Sequence, residues 1–277
     1  MNTTFTYKRK DGRTPNQLRQ VSLSYGIYES AAGSILFEMG KTKIICAVSL
    51  QNGVPQFLRG KGAGWLTAEY ALLPMSTTTR TQRESSTGKK DGRSIEIARF
   101  IGRCFRTIAD LSILGERTIT IDCDVLQADG GTRTASITAA YLALAKAQDK
   151  WLKARIIDKP FITETIAALS VGIVNDRALL DLNYEEDSIA SADFNFVLTE
   201  SGKVIEMQGG AESAPISWEQ FEEIRRMACD GVANLFTLCG MSVREKKIPV
   251  QQSTSSSGER EERIPLFSLK NRQNTSL

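Results

Sequence analysis

The sequence predicts an α+β protein built from two similar β-α halves packed as one domain. Three observations carry that expectation. A chain of 277 residues is long enough for one large domain or two intimately packed halves. β-Branched runs bounded by turn residues alternate with Ala-rich or amphipathic stretches of helical length. The order of strands and helix ahead of Trp151 recurs loosely behind it. A hydrophobic content of 41% is ordinary for a soluble globular chain, so folding needs neither disulfides nor a metal.

Taken in order, Lys8-Arg9-Lys10-Asp11-Gly12-Arg13 reads as a short basic arm (residues 1–15), a kind of segment that is commonly only solvated. A strand is expected between Gln20 and Tyr28. The runs 34–39 and 43–48 flank Gly40-Lys41-Thr42 as a hairpin, and a further strand covers 66–73. Residues 74–93 are non-periodic and rich in Ser, Thr and Gly, with Arg80, Arg83, Lys89, Lys90 and Arg93 opposed by Glu84 and Asp91. Such a basic loop cannot bury itself and suits a phosphate backbone. The helix predicted over 94–109 buries Ile97, Ile101, Cys104, Phe105 and Ile108 and lays Arg99, Arg103 and Arg106 along a second stripe, a candidate RNA-binding face.

The central stretch is Gln127-Ala128-Asp129-Gly130-Gly131-Thr132-Arg133-Thr134, where a β-branched strand over 118–126 meets an Ala-rich helix ending near Ala147. Paired glycines take backbone angles closed to other residues, and Thr132 or Thr134 can cap the helix, so free amides face whatever occupies the turn. Arg133 lies in the first helical turn, where the helix dipole disfavours a cation; an anion between them would resolve the conflict. An ordinary strand-to-helix turn with a surface arginine gives the same local pattern, so the rest of the chain must decide.

Residues 151–160 read as a linker between halves. Beyond it, 168–174 with 178–182 and 194–198 with 203–207 read as hairpins, and Ser217-x-x-Gln220 opens a long amphipathic helix as a capping box. Strand alternation places Asp193 and Asn195 on one face, opposite Phe194 and Phe196, just after the acidic Glu185-Glu186-Asp187. A carboxylate at a strand mouth can hold Mg²⁺, donate a proton or simply face a loop. From about residue 250 the Ser-, Glu- and Arg-rich tail (250–277) has little to bury and is expected to be disordered.

Composition removes whole classes of chemistry. There is no histidine, which excludes Ser-His and Cys-His nucleophile pairs, His-ligated zinc and imidazole acid-base catalysis. Proton transfer must fall to carboxylates, Lys or Tyr. Net charge is only +3, so affinity for nucleic acid requires local clustering of the 35 Lys and Arg. The five cysteines, without Cys-x-x-Cys spacing, read as core thiols in a reducing compartment. No apolar window reaches membrane-spanning length and no apolar signal core opens the chain, which predicts a cytoplasmic protein with no membrane partner.

Several of these stretches together resemble the ribonuclease PH family. They are Gly62-x-Gly64-Trp65-x-Thr67-Ala68-Glu69-Tyr70; Leu73-Pro74 followed by Arg80 and Arg83-Glu84; Gly92-Arg93; Asp129-Gly130-Gly131-Thr132-Arg133-Thr134-Ala135-Ser136-Ile137; and Glu186-Asp187-Ser188 through Asp193-Phe194-Asn195. The resemblance runs from about Arg9 to Cys239. It implies a core over 16–245 with its internal boundary near 150–160, and a homo-hexamer assembled as a trimer of dimers. It implies a phosphorolytic exoribonuclease in which inorganic phosphate removes nucleotides beyond the CCA end of tRNA precursors and releases nucleoside diphosphates. By position, Arg93, Gly131, Thr132 and Arg133 would hold phosphate. Asp187 and Asp193 would place Mg²⁺, with Asp193 protonating the leaving oxygen. Arg80 and Arg83 match basic positions that grip tRNA, whereas Met75 stands where many members carry another arginine. The alternative is a catalytically silent RNA-binding ring subunit of an exosome-like assembly; such subunits lose the phosphate arginines or the acidic pair, and this chain keeps both.

Overall fold

The computed structural model describes residues 8–88 and 91–241. Lys89, Lys90 and the tail expected from residue 250 lie outside the described residues. The first half is a five-stranded sheet of β1 (Val21–Tyr25), β2 (Gly33–Met39), β3 (Thr42–Asn52), β4 (Trp65–Leu72) and β5 (Arg117–Gln127), in the order β1-β2-β3-β5-β4. β1, β2 and β3 form an antiparallel meander and β3 pairs antiparallel with β5. β4 runs parallel to β5 because the chain crosses over between them through α1 (Glu84–Thr87) and α2 (Gly92–Thr107). From β5 the chain enters α3 (Thr132–Lys153).

The second half is a four-stranded antiparallel sheet of β6 (Ile166–Val174), β7 (Arg177–Leu180), β8 (Ala192–Thr199) and β9 (Val204–Ala211), ordered β7-β6-β8-β9. Its short α4 (Tyr184–Asp187) links β7 to β8, and the long α5 (Trp218–Leu238) packs on β6 and β7. The expected capping box opens α5: Gln220 N–H donates to Ser217 Oγ (3.2 Å) and Ser217 N–H to Gln220 Oε1 (2.9 Å). The duplication is therefore partial. Both halves place antiparallel strands ahead of a long helix, but only the first contains a helical crossover and a parallel pair.

α3 is the shared layer. It packs on β2 and β3 on one side and on β6 on the other, and one hydrophobic core runs through both sheets. That position explains small residues on nearly every face of the helix: a Cβ on Gly33 of β2 would fall 2.1 Å from the Ala143 carbonyl oxygen. α3 also runs past Ala147 into the stretch read as a linker. Its polar Gln148, Asp149 and Lys150 do not end it, because the next turn buries Trp151 against Phe161.

The basic arm is not simply solvated. Arg9 is 2% exposed, and its guanidinium meets Glu186, itself 2% exposed, through two bonds of 2.7 Å. Arg13 donates to the Asp181 carbonyl oxygen (2.9 Å). Among the described residues no helix is long and apolar enough to cross a membrane.

Candidate active site

At the end of β5, Gly130 and Gly131 both take left-handed conformations (φ +74° and +65°), and the chain enters α3 with Gly131 as its N-cap. Neither threonine caps the helix. Thr134 Oγ1 donates to the Gly131 carbonyl oxygen (3.0 Å), and Thr132 Oγ1 accepts from the Tyr70 hydroxyl (2.9 Å). No side chain caps the N-terminus of this 22-residue helix, so its first amides remain available to an anion. At α2 the situation is the reverse. Asp91 caps that helix by accepting from Arg93 N–H (3.2 Å), and it is the Arg93 side chain, not the helix end, that faces the site.

These elements enclose a cavity of about 470 Å³ that gathers Arg93, Gly131, Thr132, Arg133, Asp187 and Asp193. The first half contributes the cations and helix amides, and the second half the carboxylates. Asp187 reaches the cavity from α4, whose capping box (Glu186 N–H to Asn183 Oδ1, 3.0 Å; Asn183 N–H to Glu186 Oε2, 3.1 Å) fixes this single turn. Asp193 comes from the mouth of β8, paired with Gly172 and Gly210.

Both carboxyls are held above the usual aspartate range. For Asp187 burial is the main cause and the charge of Asp193 the next, with Arg93 and Arg19 pulling the other way. For Asp193 burial again comes first, followed by the charge of Glu212, to which its carboxyl is also hydrogen-bonded; Arg133 opposes the rise. Arg133 is oriented before any ligand arrives. Its Nη1 and Nη2 donate to the two oxygens of Glu96 (2.8 and 2.9 Å), and Nη1 also donates to Gln208 Oε1. These contacts engage three of the five N–H donors of a guanidinium. The arrangement sets two guanidiniums and the uncapped start of α3 beside two carboxyls whose protonated forms are favoured over those of free aspartate, suited to binding an oxyanion and moving one proton.

Comparison with known proteins identifies the architecture. The model of the 3′ exoribonuclease family, domain 1, matches residues 17–148, and that of domain 2 matches residues 164–231. The chain belongs to the ribonuclease PH family of 3′ exoribonucleases. Similar solved structures include rice (Oryza sativa) Rrp46, at 19% identity and a TM-score of 0.67 over 84% of this chain and all of that one. A chain of the Archaeoglobus fulgidus exosome with RNA bound to the active site is 23% identical, with a TM-score of 0.70 over 83% of this chain and 92% of that one. A chain of an archaeal exosome core is 22% identical, with a TM-score of 0.67 over 84% and 91%. At these identities the likeness is one of fold, the two-domain ribonuclease PH fold of mixed α and β structure.

Within this ribonuclease PH fold, the other sequence-predicted positions separate. Arg80 and Arg83 are exposed on the loop before α1, and neither lines the cavity. What that loop brings to the cavity is its threonines, Thr77, Thr78, Thr79 and Thr81; it is pinned by the Ala128 N–H to Ser76 carbonyl bond (2.7 Å). The basic stripe of α2 divides three ways. Arg99 is exposed and borders a separate recess of about 300 Å³ beside Trp65. Arg103 is engaged by both oxygens of Glu206. Arg106 lies over the Trp65 ring at 4.6 Å. Sequence reasoning missed Glu96, Gln208, Glu212, Ser170 and Tyr184 as parts of the site. Only Tyr184 carried a usable signal, since it stands three residues ahead of Asp187; it lines the cavity and is 57% exposed.

Proposed function

We propose that this chain is a phosphate-dependent 3′-to-5′ exoribonuclease that trims tRNA precursors beyond their CCA end and works as a homo-hexamer, a trimer of dimers. The observation that carries the reading is the single cavity in which Arg93, Arg133 and the uncapped start of α3 face Asp187 and Asp193. In this reading inorganic phosphate rests on the α3 amides and the two arginines. One of its oxygens attacks the phosphorus of the last phosphodiester, and the bond from phosphorus to the 3′ oxygen of the penultimate nucleotide breaks. Asp193, whose affinity for protons burial and the charge of Glu212 raise, gives a proton to that oxygen. The products are a nucleoside diphosphate and an RNA shortened by one residue with a free 3′ hydroxyl. Little covalent chemistry is asked of the protein, and catalysis comes from positioning and charge neutralisation.

The acidic pair suits Mg²⁺. Among the described residues no three acidic, Cys or His groups cluster as a metal cage. Two carboxyls lining one cavity, one burdened by the other's charge, are what an ion held by one or two carboxylates, waters and phosphate oxygens needs. Mg²⁺ held by Asp187 and Asp193 would supply charge neutralisation on phosphate oxygens.

A second reading, a catalytically silent RNA-binding ring subunit of an exosome-like assembly, draws on the fold likeness to exosome chains. It would leave Arg93, Arg133, Asp187 and Asp193 without purpose. Incubation with tRNA carrying extra 3′ nucleotides, with and without phosphate, separates the readings. Phosphate-dependent release of nucleoside diphosphates is expected. Monophosphates in phosphate-free buffer, or RNA binding without turnover, would overturn the assignment.

A further inference from the structure

We propose that Arg19 is a positioning residue that holds the phosphate-binding turn from beneath and fixes its distance to the carboxylate-bearing α4. The inference rests on the phosphate-dependent reading of the cavity and goes beyond it, since Arg19 is not among the residues that line that cavity.

Arg19 is 6% exposed and lies between the two halves of the fold. Towards the first half, Nη1 donates to the Asp129 carbonyl oxygen (2.5 Å) and Nη2 to that of Gly130 (3.4 Å). Towards the second, Nε and Nη2 grip the Asp181 carboxylate at 2.7–3.1 Å, and the Arg19 backbone N–H adds a bond of 2.8 Å to the same group. Thr42 gives the turn a second hold: its Oγ1 donates to the Gly130 carbonyl oxygen (2.8 Å) and accepts from Asp129 N–H (3.1 Å). A Cβ on Gly131 would come within 3.1 Å of Arg19 Nη2, so the guanidinium lies directly under the residue that caps α3.

On its other side the chain leads straight to the acid. Asp181 adopts φ +55°, a left-handed conformation that a non-glycine residue keeps only where its surroundings hold it. Arg19 chelates its side chain while Arg9 and Arg13 bond its carbonyl oxygen (3.0 and 2.9 Å). Arg9 also pairs with Glu186, the residue before Asp187. The path from Gly130 through Arg19 and Asp181 to α4 is thus continuous and made of charge-assisted bonds, those to Asp181's carboxylate buried. A planar fork serves both ends at once; an ammonium cannot, which makes Arg19→Lys an informative change rather than a mild one.

The test is inorganic phosphate binding by calorimetry and steady-state kinetics on the full chain, comparing wild type with Arg19→Lys. A loosened turn should weaken phosphate binding, and raise the KM for phosphate, by about tenfold or more. RNA affinity in phosphate-free buffer should stay within about twofold. A variant with lowered Tm but unchanged phosphate affinity would make Arg19 merely structural and overturn the proposal, as would a parallel loss of phosphate and RNA affinity. Should Arg19→Lys not fold, Thr42→Val removes the second hold at constant volume and should raise the phosphate KM several-fold; an unchanged value overturns the proposal. Wild-type protein that binds phosphate but releases no nucleoside diphosphate would sink the proposed function and leave the Arg19 comparison intact. Wild type that binds no phosphate would overturn this inference.

Discussion

Replacing Gly130 by Ala should impair catalysis by moving the second half of the site, not by touching ligand. Gly130 has φ +74°, and a Cβ there would stand 2.5 Å from the Leu182 carbonyl oxygen, 2.6 Å from the Asn183 carbonyl carbon and 2.9 Å from the Tyr184 nitrogen. All three are backbone atoms, so no side chain can swing away. Ordinary contact begins near 3.4 Å, and the 182–184 segment must retreat by about 0.9 Å. That segment carries the N-cap and first residue of α4, so Asp187 retreats with it. A misplacement of about 1 Å in a positioned site costs on the order of 10²-fold in rate. Left-handed strain adds roughly 2 kcal/mol of destabilisation, a Tm fall of about 4–8 °C for a domain of this size. The assay is kcat/KM for phosphorolysis of a short oligonucleotide beside a thermal melt. Gly131→Ala is the control: its Cβ would meet only side-chain atoms, Arg19 Nη2 at 3.1 Å and Thr134 Oγ1 at 3.5 Å, and should lose less activity. Gly130→Ala with a lowered Tm but kcat/KM within twofold of wild type would refute the claim that turn-to-helix spacing governs the chemistry.

Asp193→Asn should keep RNA binding and lose roughly two to four orders of magnitude in turnover, the range for a positioned proton donor, with near-normal kcat demoting it to a structural role. The same variant should melt higher than wild type near neutral pH. A carboxyl whose folded-state pKa is raised binds more protons folded than unfolded, so its penalty is absent below the ordinary value of 3.8 and develops as pH rises through the raised one. Melts from pH 4 to 8 should therefore diverge upward with pH, and parallel curves would show that Asp193 carries no burial penalty. For the exposed loop, Arg80→Ala with Arg83→Ala should raise the KM for tRNA and flatten its log-log salt dependence by about one to two units. Turnover on a short unstructured oligonucleotide should hold, and equal losses on both substrates in an intact oligomer would place these arginines in the active site.

The pieces of the site that were legible in the sequence are those whose chemistry is local. Gly130-Gly131 between a β-branched run and an Ala-rich run specifies a strand-to-helix turn, and Arg133 against the helix dipole marks that turn as a candidate anion site. Asp193 and Asn195 share a strand face by simple alternation. What escaped is what only tertiary pairing creates. Charged residues near a chain start read as solvated because ionised groups are seldom buried, and nothing local shows that the partners of Arg9 and Arg19 stand 177 and 162 residues away. Glu96 and Gln208 orient Arg133 from α2 and β9, elements whose meeting no periodicity reveals. The four residues of α4 make barely one helical period, so its capping residues Asn183 and Glu186 had no repeating apolar stripe to announce them. α3 outran its Ala-rich segment because a core tryptophan, not composition, decides where it stops.

The division of charge between the halves explains why the site is at their junction. Opposite charges that face one another across a recess attract, and carrying them on different elements lets the packing of the halves set their separation. Here the α3 amides, Arg93 and Arg133 belong to the first sheet's side, and Asp187 and Asp193 to the second's. Arg133 is balanced by Glu96 outside the cavity, whereas Asp187 and Asp193 are opposed by Arg93 and Arg19 and by Arg133 respectively. The proton affinity of the carboxyls is set by burial, then by the acidic neighbours on their own half (Asp193 for Asp187, Glu212 for Asp193), and then by the arginines across the junction, whose spacing the fold controls through α3, which packs on both sheets. It follows that changes which alter how α3 meets β2 or β6, though remote from the ligand, should shift the pH dependence of turnover along with its rate. Substituting Gly33, where a Cβ would strike the α3 backbone at 2.1 Å, is the sharpest such change: a bulkier residue there should move the alkaline limb of the pH profile, whereas a purely local stability effect would leave that limb in place.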